Sequence, residues 1–309
     1  MSVPIIPRKT LFGNPDRAMV QISPDGAHLS WLAPRDGVLN VWVAPRGNPG
    51  DARPVTQDTG RGIRFYGWAF TSRHILFIQD KNGDENWRLY AVDLESLEVK
   101  DLTPFEGVQA QIQGISPQFP EELIVGLNNR DPQYHDIYRI NLVSGEMDLL
   151  LQNERFMAVM VDDDYRLRLA LQMMPDGGIQ MQKPDEKGGW EAWESIPAED
   201  ALVTNPVAFD KAGQSLFLQD SRGRNTAALV AQNLQTGAKT LLAEDPQADV
   251  NDVVRHPTQK HVQAVSFVYQ RKRWQILDPA IQVDLDALRK VADGEVEILS
   301  RTLKDDFWA

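Results

Sequence analysis

The chain has 309 residues, 42% of them apolar and 25% charged, a balance that fits a globular protein and excludes a disordered or collagen-like one. With 32 basic and 44 acidic residues it carries a formal charge of −12, which disfavours nucleic acid as a partner because phosphate backbones need clustered cations. The absence of cysteine removes disulfides, zinc–thiolate sites and cysteine nucleophiles together, and it fits a reducing, cytoplasmic compartment.

The opening Met1–Lys9 has no apolar core of the kind a secretory signal needs. No apolar run approaches the roughly 18 residues of a membrane helix, so no membrane partner is expected. After an N-terminal segment at 1–16, a turn followed by a short apolar strand recurs roughly every 47 residues. Leu29, Ile75, Leu123, Leu169, Leu216 and Val262 anchor this strand. A second series with the same spacing, Trp42, Tyr90, Tyr138, Met181, Val230 and Ile276, marks the next strand. Each unit reads as four strands; in the second unit they are Arg64–Ala69, His74–Gln79, Trp87–Asp93 and Val99–Leu102. The turns have the matching chemistry: Ser23-Pro24-Asp25-Gly26 in the first unit, and Ser144-Gly145 and Thr236-Gly237 between third and fourth strands.

A sheet of four short strands cannot bury both faces alone. Stacking such sheets radially does so, and the expectation is an all-β, WD40-like β-propeller, with a β-sandwich as the alternative. The blades fall at 17–60, 61–108, 109–154, 155–203, 204–248 and 249–294. The helical pattern at Asp284–Val291, with Leu285, Leu288 and Val291 on one face, reads as an insertion or as a replacement for the sixth blade's outer strand. Residues 295–309 have the spacing of the first two strands of a seventh blade. A chain ending there on Phe307-Trp308 would carry an open edge prone to self-association. It is therefore expected to be truncated from a longer protein; in the alternative, six blades close and the last residues are a tail.

Several residues carry a resemblance. Pro4-Ile-Ile-Pro7-Arg8-Lys9-Thr-Leu11-Phe12-Gly13-Asn14-Pro15, followed by Gln21-Ile-Ser-Pro-Asp-Gly26, resembles the start of prolyl-oligopeptidase-family (S9) serine peptidases, and the bacterial acylaminoacyl-peptidase and dipeptidyl-aminopeptidase-like members in particular. Asp80-Lys-Asn-Gly-Asp-Glu-Asn-Trp-Arg-Leu-Tyr90-Ala-Val-Asp93-Leu, with Asp101-Leu-Thr-Pro104-Phe, is similar to part of their second blade. Ser300-Arg-Thr302, Asp305-Asp306 and Trp308 resemble their last blade. The resemblance implies a seven-bladed propeller that gates access of peptide substrates to a C-terminal α/β-hydrolase domain bearing a Ser-Asp-His triad. That domain, the propeller's implied partner, is not among these residues.

A nucleophile elbow needs Gly-x-Ser-x-Gly, and no serine here has glycine on both sides at that spacing. Gly114-Ile-Ser116-Pro-Gln118 comes nearest and reads as a structural turn. The chain alone is thus expected to be inactive, with no catalytic residue, no cofactor and no metal. The family's dipeptidyl peptidases hold a substrate amino terminus with paired glutamates, but Glu121-Glu122 lacks the surrounding motif.

Asp80, Asn82, Asp84 and Asn86 group oxygen atoms suited to calcium, yet the glycine is misplaced for that loop, and a self-capped hairpin turn is the preferred reading. Asp162-Asp163-Asp164 and Arg271-Lys272-Arg273 read as solvated turns. Trp190 and Trp193 read as packing between blades. Arg222, Arg224 and Asn225, on the turn between second and third strands of the fifth blade, are candidate substrate contacts. Three functions compete: the gating propeller of a peptidase, a stand-alone TolB-like module that binds proteins or peptides, and a metal-dependent propeller hydrolase lacking an identifiable ligand set.

Overall fold

The computed structural model describes residues 5–309. Met1–Pro4, the start of the expected N-terminal segment, lie outside the described residues. A short exposed helix, α1 (Arg8–Phe12), precedes six antiparallel sheets. The first holds β1 (Ala18–Ile22), β2 (His28–Arg35), β3 (Val38–Pro45) and β4 (Arg53–Pro54). The second holds β5 (Phe65–Trp68), β6 (His74–Gln79), β7 (Arg88–Asp93) and β8 (Val99–Asp101). In the third are β9 (Ala110–Ile115), β10 (Glu122–Asp131), β11 (Tyr134–Asn141) and β12 (Met147–Leu151). The fourth is built from β13 (Ala158–Val161), β14 (Leu167–Met173), β15 (Ile179–Pro184) and β16 (Trp190–Ile196). The fifth has β17 (Asn205–Phe209), β18 (Ser215–Asp220), β19 (Ala228–Asn233) and β20 (Lys239–Ala243). The sixth has three strands, β21 (Val250–Arg255), β22 (Val262–Tyr269) and β23 (Arg271–Ile276).

Within every sheet, neighbours in space are neighbours in sequence, so hairpin turns alone make the connections. The two anchor series fall on the second and third strands of all six sheets. Ile75, Leu123, Leu169 and Leu216 are fully buried; burying each such side chain stabilises by about 1.5–3 kcal/mol. Strand alternation distributes side chains to two faces. In β2, Leu32 joins a core that spans the first two sheets, whereas Trp31 and Ala33 pack on the other face with Ala44.

Contacts divide the described residues into two compact units. One comprises 5–111, Leu142–Gly145 and Leu299–Ala309; the other comprises Ile112–Asn141 and Glu146–Ile298. In the first unit, Leu32, Val41 and Val43 meet Tyr66, Trp68, Ile75 and Phe77 of the second sheet. In the second unit each core likewise joins successive sheets: Ile124 and Ile137 with Phe156 and Val159, Leu169 and Met181 with Leu216 and Leu218, and Phe217 and Leu229 with Val265 and Phe267.

Three expectations are corrected here. Arg271-Lys272-Arg273 opens strand β23 and is not a turn. The Lys272 side chain is only 4% exposed, lies over Trp274 and pairs with Asp252 and Glu297. Asp163 is not simply solvated: it pairs with Lys260. Helix α2 (Gln282–Leu288) stops short of Val291, and of its three aligned apolar residues only Leu285 is buried.

No fourth strand follows β23 among the described residues. Its edge is met by side chains: Lys272 N–H donates to Glu295 and the Trp274 carbonyl accepts from Arg289. Residues 295–309 carry one isolated bridge, Arg301 with Trp308. In the first unit the 299–309 segment folds back on itself and onto β1: Ala309 N–H donates to the Ser300 carbonyl, Ile22 N–H to Ser300 Oγ at 2.8 Å, and Leu303 N–H to the Pro24 carbonyl. Trp308 stacks under Arg301 and Phe307 under Arg46, so the residues expected to form an open edge are partly covered.

Candidate functional site

The turn between β18 and β19 presents Arg222, Arg224 and Asn225. Arg222 is held from several sides. Its Nε and Nη2 donate to both oxygens of Asp220, at 2.7 and 2.8 Å, and its Nη1 donates to the Ser195 carbonyl and pairs with Glu194. Lys239 completes the cluster by bridging Glu194 and Asp220. Burial pushes the Asp220 carboxyl up, but the hydrogen bonds from Arg222 and Lys239 outweigh it and hold the group at about 2. Burial likewise works against the charged Arg222, and Asp220 raises its pKa in spite of this. Bidentate pairing of this kind fixes a guanidinium in place.

Arg222 therefore ties the outer strand of the fourth sheet to the fifth. Arg224 pairs with Glu244, and Asn225 is exposed beside it. The three predicted residues share one turn, with Arg222 anchored and the other two facing outward. Glu194 and Lys239 were not found from sequence, because their strands give no local sign of where they meet.

Two clefts of the first unit are lined by charged side chains. One, of about 510 Å³, is lined by Asp80, Lys81, Asp84, Arg88, Tyr90 and Glu106 among others. The Asp80 side chain is 4% exposed and pairs with Arg61 at 2.5 Å. Asp84 accepts from the N–H groups of Lys81 and Asn86, so its carboxylate caps its own turn in the manner of an Asx turn. Among the described residues, no three His, Asp or Glu side chains gather as a metal site would need. The other cleft, of about 560 Å³, lies between the first two sheets and is lined by His28, Asp51, Arg53, Ser72, Arg73 and Glu95 among others. Arg73 there is engaged by Asp93 and Glu95.

Ser116, the serine nearest to an elbow pattern, is buried. Its Oγ donates to the Asp163 carbonyl at 2.6 Å and its N–H to the Tyr165 hydroxyl at 3.0 Å. This is a structural seat. Trp190 packs edge-on against Phe156 at 5.1 Å and Trp193 against the core shared by the fourth and fifth sheets. Glu122 pairs with Arg139.

No protein-family model matches the chain. Solved structures show the fold. The β-propeller domain of the Trilobed protease from Pyrococcus furiosus superposes with a TM-score of 0.54 at 17% identity, covering 85% of this chain and 83% of that one. TolB from Acinetobacter baumannii superposes with a TM-score of 0.51 at 13% identity, covering 82% and 62%. The described residues form a β-propeller of six blades, five of them four-stranded.

Over 305 residues, 98% of the chain, it is 48% identical to dipeptidyl aminopeptidase BIII of Pseudoxanthomonas mexicana, and it spans 44% of that protein's length. Its resemblance to the propellers of S9 peptidases thus runs along essentially the whole chain.

Proposed function

We propose that this propeller is the non-catalytic, substrate-gating part of an S9 serine peptidase, whose hydrolase domain lies outside these residues and acts on peptides. The observation that carries this reading is the 48% identity, sustained over 98% of the chain, to a protein named a dipeptidyl aminopeptidase. The buried seat of Ser116 is consistent with chemistry located elsewhere. On this reading the 299–309 hairpin is the start of a seventh blade, and the hydrolase domain is its covalent partner. Arg224 and Asn225, exposed on one turn, are the substrate contacts to test, with Arg222 as their anchor.

The test is to assay the protein encoded by the gene beyond codon 309 against dipeptide anilides, beside this chain alone. Hydrolysis by the longer protein and none by this chain is the expected result. A stop codon at 310, or a longer protein without Gly-x-Ser-x-Gly, would overturn it. The likeness to TolB supports a second reading, a stand-alone module that binds proteins or peptides, and that stop codon would favour it.

A further inference from the structure

In every blade a turn joins the first and second strands, and in the second unit these first turns are tied to one another. The turn of blade four, 162–166, is the hub. From blade three, Ser116 Oγ donates to the Asp163 carbonyl. From blade six, Lys260 Nζ approaches the Asp163 carboxylate at 3.3 Å, with its side chain only 12% exposed and that of Asp163 29%. Arg255, at the end of β21, donates to the Phe209 carbonyl of blade five at 3.3 Å. Between them lies the turn of blade five, whose Gly213 carbonyl accepts from Arg168 of blade four. A side chain added at Gly213 would meet Asp162 Oδ2 at 3.2 Å.

Two aspects of this arrangement point beyond ordinary packing. Lys260 passes over an intervening blade to reach its partner, so the first turns of blades four to six converge to within one side chain's length. Lys260 also holds a left-handed backbone conformation, with φ of +63°, which a non-glycine residue adopts at a cost. A lysine kept there, largely shielded from solvent and aimed at a blade two places away, is suited to a strap across these turns.

We propose that Asp163 is the pin of a latch joining the first turns of blades three, four and six, and that its pairing with Lys260 restricts the opening between these turns and so limits the size of peptide that passes. The access role rests on the peptidase reading above; the latch itself does not. Removing either charge breaks the strap while leaving the turn's own backbone hydrogen bonds, including the one from Ser116, in place.

Amide hydrogen exchange on this chain tests the latch. In Asp163→Asn and in Lys260→Met, exchange at 256–261 and at 162–166 is expected to accelerate together, by about tenfold, and the double variant is expected to do no more than either single one. Acceleration confined to the mutated turn, or additive effects in the double variant, would overturn it. The access role is read in the longer protein as turnover of a long unstructured peptide relative to a dipeptide anilide. That ratio is expected to rise about threefold or more in both variants with anilide turnover unchanged, and an unchanged ratio overturns the access role. A longer protein that cleaves neither substrate sinks the peptidase reading, and the exchange result still decides the latch.

Discussion

The first turns of blades one and four occupy the same place in the repeat and are built on different principles. In blade one, Ser23 Oγ donates to Asp25 and accepts from His28 N–H, while Asp25 also accepts from Ala27 N–H. Its side chains are used up within the turn. In blade four, Asp162 performs that local capping alone, accepting from the N–H groups of Asp164 and Arg166. Asp163 and Tyr165 are thereby free to act outward. Tyr165 donates to the Glu122 carbonyl and accepts from Ser116 N–H across the blade boundary, and burial pushes its phenol up to about 12. A repeat thus fixes where a turn lies without fixing what its side chains hold.

The sharpest way to break the contrast is Tyr165→Ala. It removes a buried ring stacked on Phe119 and both bonds to blade three, and is expected to cost about 4 kcal/mol. Tyr165→Phe should retain most of that and lose about 1 kcal/mol. Urea denaturation followed by tryptophan fluorescence measures both. If the two variants were equally stable, the inter-blade role of the ring would be disproved.

Next in size is the cluster around Arg222. Asp220→Ala leaves Arg222 and Lys239 without their shared carboxylate and is expected to cost about 3 kcal/mol. The pH dependence has a definite sign. Asp220 titrates at about 2 in the folded chain against an ordinary 3.8, so its contribution is complete above about pH 4 and is lost as pH falls towards 2. Between pH 6 and pH 3 the native chain should therefore lose more stability than Asp220→Asn does. Parallel losses in the two would place the acid sensitivity elsewhere.

The smallest expected effect is Asp25→Ala. It disrupts capping by one exposed side chain and should cost about 1 kcal/mol or less, with exchange rates changed only near 23–28. A wider change would show that blade one's turn is as connected as that of blade four.

The fold was legible because period and burial have the same cause. A strand that must pack on both faces carries apolar residues such as Ile75, Leu123 and Leu169, and these recur wherever a blade recurs. The sites were less legible. Nothing beside Arg222 in sequence announces Glu194 or Lys239, which reach it from other strands. Asp162-Asp163-Asp164 looks like any solvated acidic turn until the partner of its middle residue is seen. Arg271-Lys272-Arg273 misleads for a related reason, since carboxylates remote in sequence let Lys272 be buried in a strand. Self-capping at Asp84 could be read locally because its partners are its immediate neighbours.

The hydrogen bond from Ile22 to Ser300 joins residues 278 positions apart. Contacts of that span form late, since the loop must close before they contribute. During synthesis, when domains fold as the chain emerges, the first blade has its own hairpins early but waits for residues 299–309 before the Ile22 amide finds its partner. The blade made first is therefore among the last to be finished, and a nascent chain arrested before residue 300 would present β1 to whatever else could pair with it.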